Sequence, residues 1–238
     1  NAVYAHNYKG TNVKTRNIQS LNEKEVTKLN ANMLLMSPPC QPYTRQGLQR
    51  DVEDKRSCAL SHLCSLIPQC KTLQYVLMEN VKGFEGSEAR NQFIAALESA
   101  GFYWRELILT PTQFNVPNTR HRYYCIARRA EDFSFAAGKL WEEMPSAHST
   151  TQQLMAKISD IIEPDASPAN LVPEDVLSKR VLVMDIIHPT QSRSMCFTKA
   201  YTHYAEGTGS VFTPLSAEET HRIFEAVKEI DMEDNNKN

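Results

Sequence analysis

The sequence predicts an α/β fold, with a mainly parallel sheet in its first half and a smaller, irregular lobe after it. Short apolar runs of strand length, such as Met33–Met36 and Tyr75–Met78, alternate with segments whose apolar residues recur at helical spacing. Such alternation is typical of strand–helix–strand units, in which function lies at the carboxyl ends of the strands. The alternation stops near residue 130, so we predict a core of residues 1–129 and a second region of residues 130–238.

Helices are predicted on both sides of the second strand. Residues 1–8 have the character of a helix end. In residues 56–68 and again in residues 89–100, apolar side chains fall on one helical face, and Gly101 is placed to end the later helix in a left-handed conformation. The apolar residues of these two faces are Ala59, Leu63, Leu66 and Ile67, then Ala89, Phe93, Leu97 and Ala100.

The later elements are less regular. Arg105–Thr110 and Tyr123–Arg128 are predicted strands, and a further apolar run at Val181–Ile187 is predicted as a strand of the second lobe. Glu206–Ser210 is predicted as a turn. Ser216, three residues before Glu219, has the spacing of a capping box and predicts the start of a final helix.

The composition limits the classes of function. The chain has 238 residues, a formal net charge of −2, 41% hydrophobic and 23% charged residues, which is ordinary for a soluble globular protein. No apolar run approaches the roughly 20 residues that cross a bilayer, and no signal-peptide pattern is present, so an intracellular location without membrane contact is expected. None of the six cysteines forms a C-x-x-C pair, which disfavours a metal site.

Cys40 is the first candidate for chemistry. It lies in Pro-Pro-Cys-Gln-Pro, directly after the apolar run Met33–Met36 and its following serine. Prolines restrict the backbone and lower the entropy of a loop that must hold one geometry. Packing alone gives no reason for three prolines around one cysteine. We therefore predict that the loop presents the Cys40 sulfur to a substrate.

A carboxyl group and two guanidiniums are predicted to lie at strand ends as well. Glu79 follows the run Tyr75–Met78, and Arg120 and Arg122 precede the strand at Tyr123. A thiolate can add to C6 of a cytosine ring, a carboxylic acid can meet N3, and arginines can meet O2 and a phosphate, with no metal required. A Cys–His thiol hydrolase is a weaker alternative, because no histidine has a context that suggests a base for Cys40.

These motifs resemble those of the cytosine-5 methyltransferase superfamily. Pro-Pro-Cys-Gln-Pro, Glu79-Asn80-Val81 and Arg-x-Arg occur in the family's order, and further segments are similar to the second DNA-methyltransferase-homologue family, with insect members looking closest. Those segments are Thr44–Gly47, Glu79–Phe84, Asn118–Tyr123, Cys196–Thr198 and Glu206–Ser210. The resemblance implies a Rossmann-like methyltransferase sheet with a target-recognition lobe. It also implies methylation of cytosine C5 in the anticodon loop of transfer RNA, principally aspartate tRNA, from S-adenosylmethionine.

The resemblance also implies roles for individual residues. Cys40 is expected to be the nucleophile, Glu79 the partner of cytosine N3, and Arg120 and Arg122 the residues that orient the substrate. The residues expected to line the S-adenosylmethionine pocket are Ile18, Gln19 and Ser37. Those expected to bind the substrate are Arg45, Cys196, Phe197 and Thr198.

The chain departs from the family pattern at its ends. The family's Gly-rich turn, the following ribose-binding acid and the closing Gly-Asn-Ser segment have no counterpart, so we expect this chain to bind S-adenosylmethionine poorly. DNA cytosine-5 methylation and a non-catalytic RNA-binding fragment remain alternatives. A monomer is expected, in cytoplasm and nucleus, with tRNA and possibly DNA as partners.

Overall fold

The structure is a computed structural model, and it describes residues 2–39, 58–145, 155–163, 167–201 and 203–235, the last nine of these by backbone alone. The chain forms two compact units. The first comprises Asn1–Ile108 and Arg122–Pro145, and the second comprises Leu109–His121 and Ser146–Asn238. The predicted functional division at residue 129 stays a prediction.

The first unit contains a five-stranded sheet. Its strands in chain order are β1 (Met33–Met36), β2 (Tyr75–Val81), β3 (Tyr103–Leu109), β4 (Arg122–Arg128) and β5 (Leu140–Trp141). In space they lie in the order β1-β2-β4-β3-β5. The predicted α/β class is confirmed.

The sheet is mixed. Strand β1 is parallel to β2 and β3 is parallel to β5, whereas β4 is antiparallel to β2 along its whole length. Parallel neighbours need a crossover of a dozen or more residues, usually a helix. Between β3 and its neighbour β4 the chain has only the 3₁₀ turn Pro111–Phe114. A connection this short leaves no room for a crossover helix, so β4 does not run in the direction that a purely parallel sheet requires.

The described residues of the first unit form four helices: α1 (Ala2–Asn7), α2 (Glu23–Lys28), α3 (Cys58–Leu66) and α4 (Glu88–Ser99). Asn22 and Glu25 form a capping box at the start of α2. The Ser87 side chain accepts the Arg90 N–H at the start of α4. Gly101 follows α4 with φ of 74°, the left-handed conformation predicted for this glycine.

The core lies on one face of the sheet, against α3 and α4. Alternate residues of β2 and β4 point into it, including Met78, Tyr123 and Cys125, each fully buried. Phe93 and Leu97 of α4 pack there from the helical side. On the opposite face the side chains are more exposed, and because strand residues alternate, Glu79 shares that face with Tyr75 and Leu77.

The second unit contains helix α5 (Glu174–Arg180), two short parallel strands, β6 (Asp185–Ile187) and β7 (Ser210–Phe212), and helix α6 (Ala217–Asn235). The strand predicted over Val181–Ile187 is corrected, because Val181–Val183 forms a 3₁₀ turn that continues the end of α5. Ser216 and Glu219 exchange the two hydrogen bonds of a capping box, as predicted. Within the described part of the chain, no helix has the length and apolar character needed to cross a membrane.

Candidate active site

Two of the predicted site residues, Cys40 and Arg45, lie outside the described residues. The described chain leads toward Cys40 along β1 and on through Ser37 to Pro39. The last pair of the parallel ladder is Met36↔Met78, so Ser37 and Glu79 each come directly after paired residues of neighbouring strands. The segment that leads to Cys40 and the carboxylate-bearing residue therefore leave the ladder at the same end of the sheet.

Glu79 and Arg122 are brought together by the antiparallel register of β2 and β4. Glu79 lies opposite Tyr124, and Val81 lies opposite Arg122, so Glu79 and Arg122 are diagonal neighbours on one face. Their ion pair joins Arg122 Nε to Glu79 Oε1 at 3.2 Å, with side-chain exposures of 19% and 35%. The pair is therefore partly shielded and still open to a ligand.

Arg120 has a different partner from Arg122. It belongs to the second unit, where its Nη1 lies 2.6 Å from the Cys196 sulfur. Its backbone N–H donates to the Thr110 hydroxyl at 3.0 Å. The two arginines were predicted as one substrate-orienting pair, and the structure assigns one to the carboxylate of Glu79 and the other to a thiol.

Asn118 fixes the loop before Arg120. Its side-chain amide donates to the Ser194 hydroxyl and to the Met195 carbonyl, both at 3.0 Å. The next backbone N–H, that of Thr119, donates to the Ser194 carbonyl at 2.7 Å. These bonds hold Arg120 beside the segment that carries Cys196. Asn118 begins the family-like segment Asn118–Tyr123, but the sequence does not mark it as a site residue.

The predicted substrate-binding residues Cys196, Phe197 and Thr198 are consecutive and lie at the surface of the second unit. The backbone N–H of Thr198 donates to the Thr208 carbonyl at 2.8 Å, which ties this segment to the glycine-containing turn before β7. The Phe197 side chain is 50% exposed. A half-exposed aromatic ring held by a hydrogen-bonded backbone is a surface that a ligand can contact.

The predicted cofactor residues lie in the first unit. Ile18 and Gln19 belong to a 3₁₀ turn, Ile18–Ser20, in which the Gln19 N–H donates to the Asn17 side chain. Ile18 is 37% exposed, and Gln19 and Ser37 are exposed as well. An accessible aliphatic side chain suits a purine ring, and the amide and hydroxyl suit its polar atoms. These residue types fit the adenosine half of S-adenosylmethionine.

Arg16 fixes this turn and was not found from the sequence. Its guanidinium bonds the Ser20 carbonyl at 2.9 Å and the Glu25 carboxylate at 2.7 Å, joining the turn to α2. The hydrogen bond from Arg16 is the main reason that the pKa of Glu25 is lowered. An arginine nine residues before a glutamate gives no periodic signal, so the pattern of the sequence does not reveal the pair.

A buried polar cluster below β4 was also missed. Tyr123 OH and Arg90 Nε each lie 2.7 Å from Glu106 Oε1, and the second carboxylate oxygen of Glu106 pairs with Arg90 Nη2. Burial raises the pKa of Tyr123, which keeps its phenol protonated as the donor. Tyr123 directly precedes Tyr124 and follows Arg122, so this cluster anchors the strand that carries the Glu79 partner. A glutamate inside an apolar strand is the signal that points to such a cluster.

Two further features do not extend the site. In the described ranges there is no cluster of three or more His, Cys, Asp or Glu side chains that could hold a metal ion. A groove of about 450 Å³ in the second unit runs along β6 and α6, and it is lined by residues such as Met184, His188 and Phe224. None of the predicted site residues that the structure describes lines this groove.

Comparisons with known proteins identify the relatives of this chain. Residues 1–223 match the model of the family described as C-5 cytosine-specific DNA methylase. A Spodoptera frugiperda protein named tRNA (cytosine(38)-C(5))-methyltransferase is 42% identical, over 94% of this chain and 67% of its own length. The human protein of the same name is 31% identical, over 98% of this chain and 74% of its own length.

Solved structures give the same result. A Spodoptera frugiperda DNMT2 mutant matches with a TM-score of 0.82 and 41% identity, over 96% of this chain and 68% of that one. Dnmt2 from Schizosaccharomyces pombe matches with a TM-score of 0.77 and 33% identity, over 96% and 70%. This chain thus spans about two thirds of its relatives' length. It belongs to the C-5 cytosine-specific DNA methylase family, in the branch of the tRNA (cytosine(38)-C(5))-methyltransferases, and it is a methyltransferase enzyme that uses S-adenosylmethionine.

Proposed function

We propose that this chain methylates carbon 5 of cytosine 38 in the anticodon loop of transfer RNA, with aspartate tRNA as the principal substrate. The relatives that match over nearly the whole chain are named for tRNA cytosine 38. The observation that carries the proposal is the Glu79–Arg122 pair, placed beside the strand whose continuation leads to Cys40. An unpaired loop base is easier to extrude than a base in a duplex, which favours an RNA loop as substrate.

The proposed chemistry begins with the Cys40 thiolate. Its sulfur forms a bond to C6 of cytosine, the electron pair of the C5–C6 double bond moves toward N3, and N3 takes a proton from Glu79. The ring is then an enamine with a nucleophilic C5. After methylation, a water molecule takes the C5 proton, the C–H electron pair forms the C5–C6 double bond, and the C6–S bond breaks to release the Cys40 thiolate. N3 then returns its proton to Glu79, which restores the starting state of the enzyme. S-adenosylmethionine, when bound, supplies the methyl group.

The neighbouring residues would orient the cytosine and hold the RNA and the cofactor. Arg122, already 3.2 Å from the Glu79 carboxylate, holds that carboxyl group in place and offers its remaining N–H groups to cytosine O2. Arg120 and Arg45 would meet phosphate oxygens of the RNA. Ile18, Gln19 and Ser37 would hold the adenosine half of the cofactor.

The proposal is tested by transfer of tritium-labelled methyl groups to a tRNA transcript and to the same transcript with uridine at position 38. With S-adenosylmethionine at a concentration high enough to offset the weak binding expected for this chain, we expect labelling of the first transcript alone. Cys40→Ala should abolish labelling and keep tRNA binding, whereas Cys58→Ala, which removes an exposed thiol, should change neither. An RNA with 5-fluorocytosine at position 38 should trap a covalent complex with the unsubstituted protein. Full activity of Cys40→Ala would refute the nucleophile assignment.

DNA cytosine-5 methylation is the second candidate. The matching family is described as C-5 cytosine-specific DNA methylase. A Dictyostelium discoideum protein named DNA (cytosine-5)-methyltransferase is 30% identical over 82% of this chain. The chemistry on the base would be the same. The same labelling assay with duplex DNA separates the candidates, because incorporation into DNA and none into tRNA would reverse their order.

A further inference from the structure

We propose that the exposed ring of Phe197 is a stacking site for an unpaired nucleobase of the substrate RNA, with Tyr201 and Gly209 as its support. This inference rests on the proposed function, since it names how the second unit would grip that substrate. Phe197 would contact the RNA directly. Tyr201 and Gly209 would be positioning residues.

The two rings form one rigid pair. The centroids of Phe197 and Tyr201 lie 5.1 Å apart at an interplanar angle of 85°, an edge-to-face contact of the kind that aromatic rings prefer. Tyr201 is further fixed by its hydroxyl, which donates to the Ser210 carbonyl at 2.6 Å. With Tyr201 held in this way, the Phe197 ring keeps one orientation while half of its surface stays exposed.

Gly209 is required for this arrangement. A Cβ at this position would lie 2.4 Å from Cδ2 of Tyr201 and 2.7 Å from Cδ1 of Phe197, closer than carbon atoms can approach. The backbone there has φ of 156°, which glycine adopts without strain. Both rings therefore lie directly on the backbone of residue 209. The absence of a side chain at Gly209 has a specific use, which is to seat the aromatic pair.

The support continues into β6 and β7. The Ser210 hydroxyl accepts the Met195 N–H at 2.7 Å and donates to the Asp185 carboxylate at 2.5 Å. Arg193 pairs with the other oxygen of that carboxylate at 3.0 Å. Hydrogen bonds to Ser210 thus fix the chain both before Phe197, at Met195, and after it, at Tyr201. They hold the Phe197 ring at the surface.

The chemistry of the surroundings favours a nucleotide as the occupant. The Arg120 guanidinium lies against the sulfur of Cys196, the residue that directly precedes Phe197 in the chain. Lys199, two residues after Phe197, is exposed and adds positive charge. Proteins bind single-stranded nucleic acids with this combination, in which bases stack on aromatic rings and cations meet the phosphates. An apolar peptide would gain nothing from the two cations.

The test measures binding of a fluorescent anticodon-arm hairpin by anisotropy. Phe197→Leu keeps the apolar character and removes the ring, and it should weaken binding about tenfold, as expected for one stacked base. Phe197→Trp should restore most of the affinity. Tyr103→Leu is the matched control, because Tyr103 has a similar exposure of 46% and begins β3 in the other unit, and it should leave affinity unchanged.

Abasic RNAs identify the stacked base. Removing the base that stacks on Phe197 should weaken binding to the unsubstituted protein. The unsubstituted protein and Phe197→Leu should then bind this abasic RNA with the same affinity. An unchanged affinity of Phe197→Leu, or an equal loss with every abasic RNA, would overturn the proposal. Methyl transfer is measured on the same preparations, so that a lack of stacking in an active enzyme is distinguished from a failure of the proposed function itself.

Two further variants test the support. Gly209→Ala should reproduce the loss of Phe197→Leu, and near-ultraviolet circular dichroism should show a changed aromatic environment while far-ultraviolet spectra stay the same. Tyr201→Phe removes only the hydroxyl that bonds Ser210 and should cause a smaller loss of affinity. A higher salt concentration should not reduce the difference in affinity between this variant and the unsubstituted protein. Full affinity of Gly209→Ala with an altered aromatic spectrum would show that the pair has no part in binding.

Discussion

Arg122 of β4 reaches diagonally across the sheet to Glu79 of β2, with 3.2 Å between Arg122 Nε and Glu79 Oε1. The antiparallel register that places Val81 opposite Arg122 is what makes this contact possible. One face of the sheet thereby carries a carboxylate and a guanidinium that are held together before any substrate arrives. The contact joins two motifs that are more than 40 residues apart in the sequence.

Replacing Arg122 with lysine should lower the methyl-transfer rate by about 10²-fold, the scale of positioned acid–base catalysis. Lysine keeps the positive charge but lacks the fork that contacts carboxylate and base together. Single-turnover transfer of labelled methyl groups measures the effect, with Arg128→Lys at the other end of β4 as the control. The double variant with Glu79→Gln should lose less than the sum of the single losses, since the two groups act as a unit. Additive losses would contradict this coupling.

Replacing Glu106 with alanine should reduce the free energy of unfolding by about 3–5 kcal/mol, the cost of breaking a buried ion pair. The Glu106 side chain is only 6% exposed, and its loss leaves the Arg90 guanidinium and the Tyr123 hydroxyl without their acceptor. Urea unfolding followed by circular dichroism measures the change. Glu98→Ala on the exposed side of α4 should stay within about 0.5 kcal/mol. Equal effects of the two changes would show that the buried cluster has no special role.

Thiol alkylation at pH 9 should modify Cys58 well before Cys64. Cys58 is exposed, whereas burial raises the pKa of Cys64 to about 12 and keeps it protonated at that pH. Iodoacetamide labelling followed by peptide mass spectrometry gives the two rates. The raised pKa also means that the folded state holds this proton more tightly than the unfolded state. The stability from Cys64 is therefore complete below about pH 8.5 and is lost as the pH rises toward 12. A Cys64→Ser variant with the same loss of stability above pH 9 would argue against this origin.

Replacing Asn118 with alanine should lower methyl transfer about tenfold with a loss of stability of about 1–2 kcal/mol, the cost of the hydrogen bonds removed. Its amide holds the loop of Arg120 to Ser194 and Met195, so Arg120 would lose its position beside Cys196. Steady-state transfer assays and thermal unfolding measure the two effects. Asn91→Ala, on the exposed surface of α4, should change neither quantity. A loss of stability without a loss of activity would restrict Asn118 to a structural role.

Local pattern determined the elements. The apolar runs Met33–Met36 and Tyr75–Met78 predicted strands that the structure contains, the second of them longer, as far as Val81. Helical spacing predicted α3 and α4, because side-chain period follows directly from backbone geometry. The capping box at Ser216 and the left-handed conformation of Gly101 could also be predicted from the sequence, because each depends on residues within one helical turn. Glu79 was recognised for the same reason, as the residue that directly follows an apolar run.

Only the tertiary structure decided which of these residues meet. The antiparallel register of β4 brings Arg122 into contact with Glu79. The hydrogen bond between Asn118 and Ser194 holds Arg120 beside Cys196. Close packing at Gly209 places the Phe197 ring against Tyr201. Each contact depends on strand direction or on a distance between segments far apart in the chain. Residue periodicity carries no information on either, because it is set within a few residues while these contacts are set by how whole elements pack.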